Sequence, residues 1–330
     1  MPFLLLSLLI VAVTPLTTAA SPREVSEVHY QMGTFLEIRL WHTEPDIAKR
    51  IIRDAVQEVH RLEEILSNYD PDSALSRLNR RAGAGPMQVP AELFDVLASS
   101  REFSDKTGGI FDVTIGSLME LWRKAAEERR LPTLPELTEA RAAVSYRHLV
   151  LRGTDQAQLT HRGTKLDLGG IGKGYAVDRG AQRLRAAGVT QALINFGGSS
   201  IIAIGAPPGK TGWEIALQDT RGRLRGLIYL RDSALSTSAS MGRSWTINGK
   251  RYGHLIDPLS GMPITEARMA TVVAPSAIQA EALTKPLVIL GKSALRTTKE
   301  FPGSEAVVIA TNGPPSFSQQ FRAIAFWKGI

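Results

Sequence analysis

The chain has 330 residues, of which 43% are hydrophobic, and it carries a formal net charge of +7 and no cysteine. The lack of cysteine excludes disulfide bonds, thiolate metal sites, a cysteine nucleophile and lipidation of an N-terminal cysteine. Lysines and arginines are scattered, and only Arg221, Arg223 and Arg225 form a local run, with few aromatic residues around it. This pattern favours a solvated basic face over a nucleic-acid surface, so we expect no nucleic-acid partner.

The N-terminal segment, residues 1–20, contains no charged side chain and includes the apolar run Phe3–Val13. This run is too short to span a bilayer comfortably, and Thr18-Ala19-Ala20 offers small residues for cleavage. We expect residues 1–20 to be a signal peptide, although the usual positive n-region is absent. Residues 21–330 would then form one domain, in the periplasm or otherwise exported. The alternative is an uncleaved membrane anchor, which would be the only membrane contact of the chain itself.

The first half of the chain combines one clear strand pattern with several helical ones. The predicted elements are a strand over Leu36–Leu40 entered through Met32-Gly33-Thr34, a helix after Pro45, a capping turn over Ser67–Ser73, a helix after Pro90, a loop over Gly108–Asp112 and a helix through Leu118–Trp122. These follow from alternating or helically spaced apolar residues and from turn residues that can cap a helix. The charged run Arg123–Arg130 is interpreted as a solvated helix end.

The second half is richer in extended patterns. The predicted elements are a strand, turn and strand over Gln191–Ile204, strands over Trp213–Gln218, Gly226–Leu230 and Ala270–Ala274, and a helix over Ala277–Lys285. Because Pro286 denies the Ala282 carbonyl its helical donor, we expect this helix to end or kink there. No linker or repeat divides the chain, which indicates one domain.

The most informative stretch is Leu166–Asp178, in which four glycines fall between Gly169 and Gly174 and enclose Lys173. Glycines at a strand-to-helix turn let backbone N–H groups converge on an anion, and the helix N-terminus adds its positive dipole end. The spacing matches neither the P-loop nor the dinucleotide-binding motif. The stretch therefore predicts a phosphate-bearing ligand, and the alternative is a tight turn with an exposed lysine.

Six blocks of the chain occur in the order found in the ApbE-like flavin transferases. They are Met32-Gly33-Thr34, Tyr69–Ser73, Phe111-Asp112, Leu166–Asp178, His254–Pro258 and Ala280–Gly291. The chain resembles this family from about residue 27 to residue 311. The resemblance implies a single α+β domain of the tunnelling-fold (T-fold-like) kind. It also implies FAD:protein FMN transferase activity, in which FMN moves from FAD onto a Ser or Thr of an exported acceptor protein.

The resemblance implies a flavin pocket built from several of these blocks. Met32 and Tyr69 would line the isoalloxazine pocket, and Ile110, Phe111 and Asp112 would form a neighbouring wall. An apolar platform for a flat ring is what Met, Tyr and Phe supply well. The alternative for Met32, Tyr69 and Phe111 is an ordinary core position.

The resemblance also implies contacts to the rest of the FAD and to the reacting atoms. Asp167 and Lys173 would contact the FAD, and Ile256 would lie against the flavin. His254 and Asp257 would lie near the reacting centre. His254 is the histidine of these blocks that can act as a base near neutral pH, and Asp257 would either orient the site or take that role itself.

The implied metal site is where the chain departs most from the family. The Gly170 carbonyl would face a Mg²⁺ ion, and family members often place Asp, and Thr four residues later, on the helix that supplies further ligands. Here those positions are Glu281 and Lys285, with Thr284 as a possible hydroxyl ligand. We expect Mg²⁺ to bind Gly170, Glu281 and Thr284, with Lys285 as a poor ligand. The alternative is that Glu281 and Lys285 form an ordinary helical ion pair.

Two other functions share the same predicted sites. A FAD diphosphatase would use water as the acceptor and release FMN and AMP. An FAD-binding assembly protein would hold the flavin without turnover. The sequence does not separate hydrolysis from transfer, because both need the flavin and diphosphate contacts.

Overall fold

The computed structural model describes residues 21–327. The predicted signal peptide, residues 1–20, lies outside the described residues. Between residues 21 and 327, no helix is both long enough and apolar enough to cross a membrane.

The described residues form sixteen strands and eight α-helices. The strands are β1 (Arg23–Gln31), β2 (Thr34–His42), β3 (Met87–Gln88), β4 (Leu149–Arg152), β5 (Gln156–Leu159), β6 (Ala192–Phe196), β7 (Ser200–Ile204), β8 (Trp213–Gln218), β9 (Leu224–Leu230), β10 (Ala234–Ala239), β11 (Ser244–Ile247), β12 (Lys250–Gly253), β13 (Arg268–Ala274), β14 (Glu305–Ala310), β15 (Ser316–Phe317) and β16 (Ala325–Trp327). The helices are α1 (Pro45–Leu66), α2 (Ala74–Arg80), α3 (Ala91–Lys106), α4 (Gly116–Glu127), α5 (Leu134–Ala142), α6 (Gly172–Ala186), α7 (Ala277–Leu290) and α8 (Phe321–Ile324).

An eight-stranded sheet runs through the molecule in the order β1-β2-β6-β7-β10-β13-β14-β15, with every neighbouring pair antiparallel. Side chains alternate between its two faces, as the period of a strand requires. In β7, Ile202 and Ile204 join the larger apolar core, while Ile201 and Ala203 join a second core. The sheet is therefore covered on both faces.

Helices α1, α6 and α7 pack against the larger core, and the small sheet β8-β9-β16 contributes to the second. Helices α6 and α7 approach closely because Gly174 has no side chain: a Cβ there would lie 2.5 Å from the Ala277 carbonyl oxygen. Asp178 on α6 accepts hydrogen bonds from the Ala277 and Ile278 N–H groups, at 2.8 and 2.9 Å, and so caps α7. The glycine-rich stretch and α7 are thus fixed relative to each other.

A third apolar cluster joins α4 to the hairpin β11–β12. Trp122, Tyr252 and Ile256 lie in this cluster, and the Trp122 indole N–H donates to the Gly261 carbonyl at 2.9 Å. These contacts hold the His254–Pro258 block next to α4. The cavity described below lies along this junction.

Most predicted elements are confirmed, because their signals are local. The helices after Pro45 and Pro90 are α1 and α3, the paired strands over Gln191–Ile204 are β6 and β7, and the Ser73 side chain caps α2. The elements that were not predicted are strands β1, β3, β10, β11, β12, β14, β15 and β16 and helices α5 and α8.

Two local predictions differ from the structure. Helix α7 extends beyond the predicted Ala277–Lys285 range and continues past Pro286 to Leu290, where Arg268 donates to the Val288 and Ile289 carbonyls. Of the two outcomes expected at Pro286, the helix end is therefore wrong, and the kink stays a prediction. No regular strand precedes the glycine-rich turn, since Lys165 makes only an isolated bridge to Ile115. The turn therefore joins an extended segment to a helix rather than a strand to a helix.

Candidate functional site

A cavity of about 350 Å³ lies between α4, the Tyr69 turn, the Leu166-Asp167 segment and the β10–β12 region. It contains three of the predicted site residues, which are Tyr69, Asp167 and His254. Its other lining residues are Asn68, Asn79, Gly116, Met119, Glu120, Arg123, Lys165, Leu166, Arg243, Ser244 and Trp245. Blocks separated by nearly two hundred residues in sequence therefore meet at one concave surface.

His254 lies at this cavity, with its imidazole held by the backbone. Its Nδ1 lies 2.9 Å from the Arg243 carbonyl, and because a carbonyl can only accept, the neutral ring carries its proton on Nδ1. Nε2 is then left with a lone pair. Burial lowers the pKa of His254, the backbone hydrogen bonds to Arg243 and Ser240 oppose this, and the positive charges of Lys285 and Arg243 lower it further. His254 is therefore a neutral imidazole at neutral pH, as a general base must be.

Tyr69 and Asp167 line the same cavity as His254. The Tyr69 side chain is 87% exposed, because its turn is held by the Ser67 hydroxyl, which accepts from the Tyr69 and Asp70 N–H groups at 3.1 Å. Asp167 accepts from the Gly169 N–H at 2.7 Å, and burial raises the pKa of its carboxyl. A flat ring could stack on Tyr69 while polar groups reach Asp167.

The glycine-rich turn directs most of its N–H groups inward. Gly169 donates to Asp167, Gly172 donates to the Leu168 carbonyl at 2.7 Å, and Gly174 donates to the Glu281 carboxylate. These three groups are not directed at an external anion, contrary to the prediction of a glycine cradle. What the turn offers instead is the N-terminus of α6 and the lysines beside it.

Lys173 is neither exposed nor free. Its Nζ lies 2.8 Å from Oε1 of Glu281, a side chain that is 2% exposed. Burial raises the pKa of Glu281, but the charges of Lys173 and Lys285 and the hydrogen bonds from Lys173 and Gly174 outweigh it and hold this pKa below its usual value. Glu281 is therefore an anion that both α6 and α7 help to stabilise.

Lys285 does not pair with the Glu281 carboxylate, so the alternative of a helical ion pair between these two residues is wrong. Its Nζ lies 3.1 Å from Ser238 Oγ, 3.1 Å from Thr284 Oγ1 and 3.2 Å from the Glu281 carbonyl oxygen. Burial lowers the pKa of Lys285 to about 8, although the Glu281 charge raises it. The ammonium thus sits among three uncharged oxygens.

The predicted magnesium ligands do not fit a Mg²⁺ ion. Both carboxylate oxygens of Glu281 accept hydrogen bonds, and the Thr284 hydroxyl donates to the Glu281 carbonyl at 2.7 Å. The Lys285 ammonium occupies the space between Thr284, Ser238 and the Glu281 carbonyl, and its stem runs against Gly170. Within residues 21–327, no three His, Asp or Glu side chains gather as a metal site would require. The chemistry of this site is therefore assigned to the chain's own residues.

The remaining predicted flavin-wall residues are not among those that line the cavity. Ile110 and Phe111 are buried, and Phe111 lies directly beneath Gly170, 3.7 Å from where a Cβ would stand. Asp112 uses both oxygens internally: one accepts from the Thr114 hydroxyl and N–H, the other from the Tyr146 N–H. Met32 is half-buried against the larger core, at a turn where its φ is 45°. Their flavin contacts stay predictions.

Ile256 and Asp257 are close to His254 in sequence but not in role. Ile256 is buried in the α4 cluster. Asp257 accepts from the Leu259 N–H at 3.0 Å and the Ser260 hydroxyl at 2.7 Å, and it lines a different surface depression. The structure therefore leaves His254 as the block's group at the cavity and gives Asp257 the role of a turn cap.

Several lining residues were not predicted at the site from the sequence. Met119 and Arg123 come from α4, and Arg243 and Trp245 come from the β10–β12 region. Arg123 belongs to the charged run that was interpreted as a solvated helix end. A signal was available, since Arg123 follows Met119 and Gly116 at helical spacing, which places all three on one face of α4.

Known proteins resemble this chain over most of its length. The ApbE family model matches residues 32–308. The FAD:protein FMN transferase of Treponema pallidum (strain Nichols) is 30% identical over 313 residues, which covers 88% of this chain and 85% of that protein. The FAD:protein FMN transferase of Klebsiella pneumoniae (strain 342) is 27% identical over 308 residues, covering 90% and 88%.

Solved structures give the same result for the fold. The crystal structure of the ApbE protein from Thermotoga maritima is 27% identical and superimposes with a TM-score of 0.82, covering 92% of this chain and 99% of that one. The flavin transferase ApbE from Vibrio cholerae, 25% identical, gives a TM-score of 0.80 with the same coverage. The predicted single-domain α+β fold is confirmed.

Proposed function

Because the chain belongs to the ApbE family, and is a transferase enzyme like its relatives, we propose that it moves FMN from FAD to a Ser or Thr hydroxyl of an exported acceptor protein. The family match covers residues 32–308, and the relatives named FAD:protein FMN transferase span most of the chain. The observation that carries the proposal is the cavity in which Tyr69, Asp167 and His254 meet. It combines an aromatic platform, a neutral imidazole and basic side chains, Arg123 and Arg243.

His254 would act as the general base. The acceptor hydroxyl oxygen attacks the phosphorus of the FMN half of FAD, and its proton moves to Nε2 of His254. The bond between that phosphorus and the bridging oxygen breaks, and AMP leaves with this oxygen. The products are AMP and a phosphoester that joins FMN to the acceptor, so atoms and charges balance. The lowered pKa of His254 keeps its base form available near neutral pH.

Positive charge near the diphosphate would supply the rest of the catalysis. Phosphoryl transfer depends mainly on positioning and on stabilising charge at the phosphate oxygens. Lys173 and Lys285 together carry two positive charges against the single charge of Glu281, beside the N-terminus of α6. The sequence predicts that Mg²⁺ assists this step, but the donor set described above does not fit that ion, and the proposed steps use the chain's own cations.

The proposal is tested by labelling an acceptor. Purified protein is incubated with FAD and an exported protein that carries a Ser or Thr flavinylation motif, and flavin fluorescence of the denatured acceptor is read in a gel. We expect a fluorescent acceptor with the wild type. His254→Gln should slow labelling by about 10²- to 10⁴-fold, the usual contribution of a general base, with FAD still bound.

His148→Gln is the matched control for that variant. His148 is also half-buried, and its Nδ1 also lies near a backbone carbonyl, that of Ala143 at 3.3 Å, but His148 is not among the cavity residues. Labelling should be unchanged in this variant. Release of FMN and AMP without an acceptor would identify a diphosphatase, and FAD binding with no product would identify a binding protein. Either result would overturn the transferase proposal.

A further inference from the structure

The Lys285 ammonium occupies a position built for a cation. It touches Ser238 Oγ, Thr284 Oγ1 and the Glu281 carbonyl oxygen at 3.1 to 3.2 Å, so each of its three N–H donors has one oxygen acceptor. None of these acceptors is charged. Such a set of neutral oxygens from a hydroxyl pair and a backbone carbonyl resembles the surroundings of a bound metal ion more than those of a salt bridge.

The same ammonium lies next to the turn that precedes α6. A Cβ added to Gly170 would stand 3.2 Å from Lys285 Cε, so the lysine stem passes directly over the Gly170 backbone. Any larger residue at position 170 would have to displace it. The stem is therefore held between the glycine turn on one side and strand β10, through Ser238, on the other.

The charge of Lys285 is not cancelled locally. The Glu281 carboxylate gives one oxygen to Lys173 and the other to the Gly174 N–H, and it presents only its backbone carbonyl to Lys285. Two ammonium groups against one carboxylate leave one positive charge beside the N-terminus of α6. An anion at this place would be stabilised both by that charge and by the helix dipole.

We propose that the Lys285 ammonium replaces a divalent metal ion as the cation that binds the FAD diphosphate in this protein. The inference rests on the proposed function, because it concerns the diphosphate of the FAD that the transferase uses. The chain has a lysine where the resemblance implies a metal-ligand threonine, and the neighbouring Thr284 and Glu281 contact that lysine instead. A Mg²⁺ ion at this place would be repelled by the ammonium and would find its oxygens already engaged.

The test measures FAD affinity rather than activity, in chelator and in excess Mg²⁺, for three forms of the full protein. Wild-type affinity should be the same within about twofold in both conditions. Lys285→Met, which keeps the stem and removes the charge, should bind FAD about ten- to a hundredfold more weakly in both. Lys285→Thr should lose as much in chelator and regain affinity when Mg²⁺ is added, because its hydroxyl can ligate the ion.

Riboflavin, which lacks phosphate, separates this effect from damage to the fold. All three proteins should bind riboflavin equally, and a thermal melt of each confirms that it is folded. Wild-type FAD affinity that falls in chelator, or Lys285→Met binding FAD as tightly as the wild type, would overturn the inference while leaving the transferase proposal intact. A wild type that binds no FAD in either condition would overturn the transferase proposal as well.

Discussion

The protein buries two glutamates beneath basic side chains, and the two clusters differ in what their cations do. Glu58 on α1 is surrounded by Arg61, Arg179 and Arg183, each of which donates to its carboxylate at 3.0 to 3.3 Å. Glu281 on α7 accepts from Lys173 but leaves Lys285 to neutral oxygens. The arginine cluster, which is Glu58 with its three arginines, joins α1 to α6. The lysine cluster, which is Glu281 with Lys173 and Lys285, leaves the Lys285 charge beside the glycine-rich turn.

Helix α6 takes part in both clusters and shows why they diverge. Its middle supplies Arg179 and Arg183, whose forked guanidinium groups suit a carboxylate and end on Glu58. Its N-terminus supplies Lys173, a compact point charge, in the place where the helix dipole also favours an anion. Each arginine of the first cluster contacts a carboxylate, as in a structural contact, whereas Lys285 contacts none, and we propose this lysine as the cation that binds the ligand.

The largest expected effect comes from removing each carboxylate in turn. Glu281→Gln and Glu58→Gln should each lower the free energy of unfolding by about 2 to 3 kcal/mol, because a buried carboxylate that accepts hydrogen bonds from several basic groups loses its charge, and solvent screens part of the effect. Urea unfolding measures this. Only Glu281→Gln should also change FAD affinity, so Glu58→Gln is its control. Equal changes in FAD affinity for the two variants would contradict the proposed difference between the two clusters.

The pH dependence of stability sharpens the same contrast. Burial raises the pKa of Glu58, but the hydrogen bonds and charges of Arg61 and Arg183 bring it down to about 2 from 4.5. A lowered carboxylate pKa stabilises the fold above pH 4.5, and this stabilisation is lost as the pH falls toward 2. The wild type should thus lose on the order of 2 to 3 kcal/mol more than Glu58→Gln across this range. Unfolding free energies that change in parallel with pH for the wild type and Glu58→Gln would argue against an ionised Glu58 in this cluster.

A smaller effect is expected from the contact that joins the two helices of the lysine cluster. Gly174→Ala should cost about 2 kcal/mol of unfolding free energy, because its Cβ would meet the Ala277 carbonyl at 2.5 Å. Gly172→Ala is the control, since a Cβ there has its nearest neighbour, Leu168 Cβ, at an ordinary 3.7 Å. Thermal or urea unfolding measures the loss of stability in both variants. Similar losses at the two positions would mean that close packing of α6 on α7 is not what Gly174 provides.

The smallest effect concerns the coupling between Lys285 and His254. The charges of Lys285 and Arg243 both lower the pKa of His254, so Lys285→Met should raise it. The acidic limb of the pH profile for acceptor labelling should then move to higher pH, while Lys250→Met, at an exposed position on β12, should leave it in place. An unmoved limb in Lys285→Met would show that the lysine charge does not reach the imidazole.

The sequence predicts the helices, several strands and the ordered blocks, because these depend on spacing between near neighbours. Lys173 and Glu281 are 108 positions apart, and their pairing depends on the approach of α6 to α7 that Gly174 permits. The favourable spacing of Glu281 and Lys285 had instead made an ion pair between them the alternative to a metal site. Tertiary contact overrode that local preference, since the carboxylate found a partner on another helix.

For the candidate site, too, contacts between residues distant in sequence could not be predicted from local spacing. Tyr69, Asp167 and His254 were predicted from the blocks, and all three line the cavity. Asp257 lies in the same block as His254, yet its carboxylate caps its own turn, because a side chain three residues away in an irregular segment need not face the same way. Arg123 and Trp245 carry no motif, and only the packing of α4 on the β11–β12 hairpin brings them to the cavity.

The transfer of FMN with its own phosphate is tested most directly by FAD labelled separately in its two phosphates. The protein is incubated with this FAD and the acceptor, and the products are separated under denaturing conditions. We predict that the phosphate of the FMN half stays with the acceptor protein, and that the phosphate of the adenylate half appears in an equal amount of free AMP. Recovery of the first label as free FMN, or of both labels as intact FAD, would contradict the account.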